Sequence, residues 1–196
     1  FVFNKEQSLV NQIAISLSKM NEYLYCFENK GSNLTEVAAA FQIHFEVGSN
    51  YFFEVAKFRA FRQLVAMLLN EYGVRNQQVF VSANTKLETS SVEKDYKNML
   101  RSTTQAMSAV IGGCDSLSVS TFDGTKTDFS TRIARNVQMI IKQESYLDRV
   151  VDPSAGSYYI ESITAELAKK SWEEFKRIEV AGGYVEAIVK KGVVNA

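Results

Sequence analysis

Histidine, proline and cysteine are scarce in this 196-residue sequence, which has one histidine, one proline and two cysteines. The cysteines, Cys26 and Cys114, are far apart and match no CxxC or Cys/His spacing, which argues against a zinc site and against a disulfide scaffold. No apolar run approaches the roughly 20 residues that span a bilayer. We therefore expect no metal site, no membrane association, and a reducing compartment such as the cytoplasm.

The chain also has no net charge at pH 7. The 22 basic and 22 acidic residues cancel, so nothing attracts the chain as a whole to nucleic acid, and we expect no such partner. With 46% hydrophobic and 22% charged residues, the composition is that of a globular protein with ample material for a core. Because the sequence begins at Phe1 rather than methionine, we expect a fragment in which residues 1–196 form part of one domain.

Segments with strand and helix periodicity alternate along the chain. They predict strands at 41–47, 77–85 and 115–122, and helices at 8–28, 50–72, 93–113, 128–145, 158–178 and 181–191. Ser49 or Asn50 is expected to cap the second helix, and Ser90 with Glu93 forms a capping box for the third. This order favours right-handed βαβ units and a parallel sheet. Since three strands cannot close a barrel, we predict the α/β class and the C-terminal part of a larger (β/α)8 TIM-type barrel.

Small polar residues follow the second and third predicted strands, where the carboxyl ends of parallel strands meet at one face. We take them as candidate pocket-lining residues: Ser82, Asn84, Thr85, Ser118, Ser120 and Thr121. None is a strong base at pH 7, so ligand contact and ordinary loop capping both stay open. The only histidine, His44, lies at a polar position of the first strand, and we favour a hydrogen-bonded structural role over a pocket role.

Two groups of basic residues have two interpretations each. Arg132 and Arg135 in RIARN place two guanidinium groups within one helical turn, which suits a carboxylate or phosphate but is equally typical of a solvated or salt-bridged helix face. Lys57, Arg59 and Arg62 have the same two interpretations. In both groups the helix-face interpretation is favoured on pattern alone.

Four longer blocks resemble the methylmalonyl-CoA mutase family. EVGSNYFFEVAKFRA resembles the segment in which a glycine, an asparagine and an aromatic pair precede E-[VI]-A-K-x-R-A. DYKNMLRSTTQAMSAVIGGCDSLS is similar to YNN-x-x-R-T-x-x-E-A-M-A-A-V-x-G-G-x-x-S-L, and DFSTRIARNVQMIIKQES to D-F-S-x-R-I-A-R-N-x-Q-x-x-x-x-x-E-S. RVVDPSAGSYYIE is similar to V-x-D-P-x-x-G-S-Y-x-x-E. The resemblance implies a (β/α)8 barrel threaded by a CoA ester and capped by a separate cobalamin-binding domain, whose D-x-H-x-x-G cobalt-ligand motif this sequence lacks.

Three positions depart from the family pattern. Alignment back from EVAK places Ala40 at the arginine of R-L-S, which anchors the substrate carboxylate in catalytic members. Counting back from Tyr96 places Ser82 at the histidine of R-T-H-x-Q-T-S-G-W, with Leu87 at its glycine, and Ser118 replaces the histidine of S-L-H-T. Losing these groups together would remove several kcal/mol of transition-state stabilisation. The resemblance therefore implies no catalytic residue of this chain's own.

These departures most resemble the small, non-catalytic subunit of the bacterial heterodimeric mutases. The implied partner is a homologous large catalytic subunit, and the implied reaction is the interconversion of methylmalonyl-CoA and succinyl-CoA. Adenosylcobalamin and the CoA ester would then be bound at the holoenzyme level, with no cofactor bound by this chain. The alternative is an active acyl-CoA mutase barrel with altered acyl specificity, and a remoter one is an unrelated CoA- or phosphate-binding barrel.

Overall fold

The computed structural model describes residues 8–86 and 96–190, with side chains described to residue 187. The strands are β1 (Gln42–Val47), β2 (Phe80–Thr85) and β3 (Ser116–Ser118). The α-helices are α1 (Leu9–Glu28), α2 (Leu34–Ala39), α3 (Tyr51–Glu71), α4 (Lys97–Ile111), α5 (Asp128–Gln143) and α6 (Tyr158–Val180), and a π-helix follows at Tyr184–Lys190. The predicted capping box at Ser90 and Glu93, and Leu87, lie outside the described residues.

The strands form one parallel sheet in the order β1-β2-β3. The α/β class and the parallel sheet are therefore confirmed, and the helices alternate with the strands as predicted. β3 is shorter than predicted because the chain leaves the ladder after Ser118. The backbone N–H of Ser120 donates to Thr85 Oγ1 at 2.9 Å instead of to a strand carbonyl, and the Ser120 hydroxyl donates to the Thr85 carbonyl at 2.7 Å.

The start of α3 is stabilised differently from the prediction. Asn50 occupies the N-cap position, but its side chain makes no capping hydrogen bond. The Glu54 carboxylate instead reaches back and accepts a hydrogen bond from the Gly48 N–H at 3.0 Å, which satisfies a donor just ahead of the helix. At the other end Gly73 has φ +72°, the left-handed conformation that glycine adopts without strain, and α3 stops there as predicted.

α2 was not predicted. Its six residues are too few to show helical periodicity, yet Asn33 caps it by accepting a hydrogen bond from the Thr35 N–H at 3.1 Å. The Asn33 amide also donates to Glu36, three residues later, at 2.9 Å. An asparagine followed by glutamate at this spacing is a helix-start pattern that the sequence did contain.

The two faces of the sheet differ sharply in chemistry. Ile43, Phe45 and Val47 of β1 point toward the helices and are buried, with the Phe45 ring packed edge-on against Phe58 and Phe61 of α3. α6 and α1 pack on α3 and extend this core. The alternate residues of each strand lie on the opposite face, where all except Phe80 are polar. No helix in the described part of the chain has the length and apolar character needed to cross a bilayer.

Candidate functional site on the polar sheet face

The register of the sheet brings polar side chains of all three strands side by side. His44 pairs with Ser82, and Glu46 pairs with Asn84, which pairs in turn with Ser118. Residues paired in a parallel sheet project from the same face. We call these five residues the polar sheet face. Glu46 was missed as a candidate although it alternates with buried Phe45 and Val47.

His44 is the most constrained member of the polar sheet face. Its Nδ1 lies 2.9 Å from the Ser82 hydroxyl oxygen, which lies 3.2 Å from the Ile43 carbonyl oxygen. Partial burial lowers the pKa of His44 below its ordinary value of 6.5, and the nearby Glu46 carboxylate only partly opposes this, so the imidazole is neutral at pH 7. The predicted hydrogen-bonded histidine is thus present, although its partner is on the neighbouring strand.

The predicted pocket-lining residues do not all share this face. Ser82 lies in the middle of β2 rather than at its end, and Asn84 and Ser118 lie beside each other near the carboxyl ends of their strands. Thr85 is 1% exposed and points toward the helices, where it bonds to Ser120. Ala40 ends α2, just before β1, so it lies at the opposite end of the sheet from Ser118.

A cavity of about 600 Å³ opens beside the carboxyl end of β3. Ser118, Ser120 and Thr121 line it together with the basic residues Lys126 and Arg135. Arg132 does not line it, since its guanidinium carbon lies 5.8 Å from the centre of the Phe129 ring. The two arginines of RIARN therefore do not converge on one carboxylate or phosphate, and the anion-binding interpretation of the pair is not supported.

The EVAK segment forms a buried ion pair. Lys57 has a fully buried side chain, and its Nζ lies 2.5 Å from Glu54 Oε2 and donates to the Glu46 carbonyl oxygen at 2.7 Å. Burial lowers the pKa of Lys57, and the Glu54 carboxylate opposes that shift. The solvated interpretation is wrong for Lys57, because the aliphatic stem and the ammonium group both lie in the core. The pair stabilises the turn that joins β1 to α3.

Arg59 joins two of the motif blocks, its own and RVVDPSAGSYYIE. Its guanidinium donates to both carboxylate oxygens of Asp152, at 2.9 and 3.0 Å, to Glu161 at 2.7 Å, and to the Thr164 hydroxyl at 3.0 Å. Burial alone would lower the pKa of Arg59, but the bonds to Glu161 and Asp152 outweigh it and raise the pKa. Glu161 also accepts the Gly156 N–H at 3.0 Å. The salt-bridged interpretation of Arg59 is confirmed.

The paired glycines at the end of α4 complete this framework. A Cβ at Gly112 would lie 2.9 Å from the Phe58 ring, so only glycine permits α4 to approach α3 this closely. Arg62 of α3 donates to the Gly113 carbonyl, and to Asp115 at 3.0 Å. Motif residues of three separate blocks thus act on the packing of α3 against the loops and helices around it.

Comparison with known proteins identifies the family to which these motif blocks belong. Residues 7–196 match the family model described as methylmalonyl-CoA mutase. The chain belongs to the methylmalonyl-CoA mutase family. It is similar to a methylmalonyl-CoA mutase small subunit of Porphyromonas gingivalis, with 39% identity over 96% of this chain and 32% of that protein.

Other members of the mutase family are similar to the same degree. A methylmalonyl-CoA mutase of Rhizobium meliloti is 40% identical over 92% of this chain and 26% of its own length. A large subunit of Propionibacterium freudenreichii is 37% identical over 91% of this chain and 25% of its own length. The chain thus spans about a third of the length of the small-subunit relative and about a quarter of the other two. Since these identities are nearly equal, overall identity does not distinguish small from large subunits. That distinction has to rest on the site residues.

Because the family implies dependence on adenosylcobalamin at the holoenzyme level, a histidine in this chain could in principle be a ligand of the cobalt. The only histidine is His44, which lies within β1 with Nδ1 hydrogen-bonded to Ser82 rather than in a D-x-H-x-x-G segment. These residues do not fit a cobalt ligand of that type. Within residues 8–86 and 96–190, no cluster of three or more His, Cys, Asp or Glu side chains suits a metal ion.

Proposed function

We propose that this chain is a section of the substrate-binding (β/α)8 barrel of a methylmalonyl-CoA mutase small subunit, with a structural and non-catalytic role. Three parallel strands in sequential order, each followed by a helix, are what consecutive units of such a barrel require. In a barrel the helix-facing residues Ile43, Phe45 and Val47 would lie between sheet and outer helices. The polar sheet face would then line the interior.

One observation carries this proposal: framework residues persist where reaction-centre residues have changed. The Glu54–Lys57 pair and the Arg59 cluster are fully formed. Ala40, Ser82 and Ser118 stand where the family pattern has an arginine and two histidines. An alanine cannot anchor a carboxylate, and serine hydroxyls cannot replace imidazoles as groups tuned near neutral pH. A chain that keeps the scaffold and loses the polar centre is suited to support a partner.

The proposed partner is a homologous large catalytic subunit, with which the full-length protein forms a heterodimer in the cytoplasm. The holoenzyme would be an isomerase that interconverts methylmalonyl-CoA and succinyl-CoA, as in propionate metabolism. Adenosylcobalamin would supply the radical chemistry of that rearrangement in the holoenzyme. This chain would bind no cobalamin, in keeping with the hydrogen-bonded strand position of its only histidine.

The test is to express the full-length protein with and without a homologous larger chain. We expect the two to purify together as a stable complex that isomerises methylmalonyl-CoA. The full-length protein alone should give no turnover and should not alter the absorption spectrum of added adenosylcobalamin. Turnover by the isolated protein would overturn the proposal.

The second candidate is an active acyl-CoA mutase with altered acyl specificity. It is favoured by the polarity of the interior-facing side chains, since Ser82, Asn84 and Ser118 accompany a neutral imidazole there. Under this hypothesis the full-length sequence contains a D-x-H-x-x-G segment, and the purified protein isomerises an acyl-CoA other than methylmalonyl-CoA. An assay over a panel of branched and linear acyl-CoA substrates distinguishes the two candidates.

A further inference from the structure

A small cavity lies between α4 and the carboxyl ends of β2 and β3. Its volume is about 10 Å³, the scale at which a single water-sized species fits. Polar side chains line it on both sides: Thr85, Lys86 and Ser120 from the strand ends, and Asn98, Arg101, Ser102 and Gln105 from one face of α4. A helix face that is turned toward a sheet is normally apolar. This part of α4 therefore encloses a polar compartment inside the fold.

Gln105 is the unsatisfied residue of the cavity wall. Its side chain is 3% exposed, and neither Oε1 nor Nε2 has a hydrogen-bond partner among the described residues. Two neighbouring hydroxyls are already engaged, since Ser102 donates to the Met99 carbonyl at 3.1 Å and Ser120 donates to the Thr85 carbonyl at 2.7 Å. Burying an amide without partners destabilises the fold, because its lost bonds to water are not replaced. A ligand in the cavity would satisfy the amide.

The charge beside the cavity is positive. The Arg101 guanidinium donates to Asn98 Oδ1 at 3.0 Å and forms no ion pair within the described ranges. Among the described residues, no aspartate or glutamate lines the cavity. The first turn of α4 has no acidic residue, and its N-cap residue, Tyr96, makes no side-chain capping bond. The N–H groups at the start of the helix add to the positive field. A water molecule would satisfy Gln105 but would leave this charge uncompensated.

The family pattern has a carboxylate at this position. YNN-x-x-R-T-x-x-E-A-M has glutamate where this chain has Gln105, and its arginine is kept as Arg101. Residues four apart lie on the same face of a helix, so a carboxylate at 105 would be within reach of the guanidinium. Glutamine keeps the shape of glutamate and removes its charge. The cavity thus keeps the cation of the pattern and lacks its anion.

We propose that a chloride ion occupies this cavity in place of the missing carboxylate. The Gln105 Nε2–H and the Arg101 guanidinium are its donors, and the cavity is too small for a phosphate or a carboxylate ligand. The ion joins α4 to the carboxyl ends of the strands that carry Asn84 and Ser118. The site does not depend on the proposed function, because every group in it belongs to this chain.

Thermal melts of the full-length protein in sodium chloride and in sodium gluconate, at equal ionic strength, test this site. We expect chloride to raise Tm by about 2–4 °C and then to saturate, as binding to the folded state alone requires. Arg101→Met should remove the difference by removing a donor, and Gln105→Glu should remove it by supplying the carboxylate. Arg132→Met is the matched control, because Arg132 does not line the cavity, and it should keep the full difference.

Gln105→Met gives the converse measurement. In gluconate the Gln105 amide has no ligand, so the variant should melt above the wild type. Chloride stabilises the wild type alone and should narrow that gap.

Crystals of the full-length protein grown in sodium bromide locate the ion directly. We expect an anomalous bromide peak between Gln105 Nε2 and the Arg101 guanidinium. Equal melting temperatures of the wild type in chloride and gluconate would overturn the inference, whether the cavity then holds water alone or a bromide peak marks an adventitious ion only. So would a chloride response that persists in Gln105→Glu, or one without a bromide peak at Gln105. Turnover by the isolated protein, which would overturn the proposed function, changes none of these outcomes.

Discussion

Arg59 and Asp152 are 93 residues apart in the chain and form a two-pronged ion pair, with both carboxylate oxygens engaged. Asp152 has φ +47°, a left-handed conformation that a non-glycine residue rarely adopts. The fork geometry of a guanidinium matches a carboxylate, which an ammonium group cannot reproduce. The pair thus holds a strained turn against α3, just ahead of α6.

We predict that Arg59→Met lowers the free energy of unfolding of the full-length protein by about 2 kcal/mol, as the loss of charged hydrogen bonds implies. Arg59→Lys should recover less than half of this loss. Arg177→Met is the matched control, because Arg177 is more exposed and, among the described residues, bonds only to Glu174; its effect should stay within about 0.5 kcal/mol. Urea denaturation followed by circular dichroism measures all three, and equal effects of Arg59→Met and Arg177→Met would contradict the prediction.

For the Glu54–Lys57 pair, we predict that the effects of the two substitutions on stability are not additive. Lys57→Met leaves a buried carboxylate without its ion-pair partner and should cost about 3–5 kcal/mol. Glu54→Gln added to Lys57→Met removes that charge and retains an oxygen that accepts the Gly48 N–H, so the double variant should be more stable than Lys57→Met. Denaturation midpoints of the three proteins decide this. Additive losses would show that the two residues act independently.

For Gln105 we predict a substitution that raises the free energy of unfolding rather than lowering it. It is 3% exposed, and neither side-chain polar atom has a hydrogen-bond partner among the described residues. Gln105→Met removes an unsatisfied amide without leaving a cavity and should raise the free energy of unfolding by about 1 kcal/mol. Asn98→Ala, at another buried amide of α4 that donates to the Phe122 carbonyl at 3.0 Å, should lower it. Thermal melts of both variants provide the comparison, and a loss of stability in Gln105→Met would refute the assignment.

The titration of His44 has a definite sign. Burial lowers the pKa of its imidazole in the folded state, so the unfolded chain binds the proton more readily. The contribution of His44 to stability is therefore fully present above pH 6.5 and is lost as the pH falls through the lowered value. Nuclear magnetic resonance titration, with His44→Phe assigning the signal, should give a pKa below 6.5. A value above 6.5 would mean that the Glu46 carboxylate outweighs desolvation.

Local periodicity was enough to predict most of the elements. The alternation of Phe41, Ile43, Phe45 and Val47 with polar residues correctly predicted β1, and these apolar residues are the ones that β1 buries. α2 was missed because six residues do not complete enough turns to show a period. The end of β3 was misplaced because it depends on bonds between Ser120 and Thr85, on another strand.

The candidate site was less predictable for the same reason. Residue types and motif counts identified Ser82, Asn84 and Ser118, but their adjacency is a matter of register between strands. The sequence predicted that Thr85 and Asn84 both line the pocket. Thr85 nevertheless points to the other face of the sheet, because successive residues of a strand alternate between faces. Lys57 was expected on a solvated or salt-bridged helix face; the salt bridge is present, to Glu54, but it is buried rather than at the surface.

The sequence by itself determined the α/β class, the parallel order of strands and helices, and membership of the mutase family, because these follow from local periodicity and from residues in a fixed order. Only the tertiary structure decided that Arg59 meets Asp152 and that His44 meets Ser82. Those contacts form when elements distant in the chain pack together and bury the apolar side of the sheet. Their energy comes from exact register and desolvation, which no local pattern encodes.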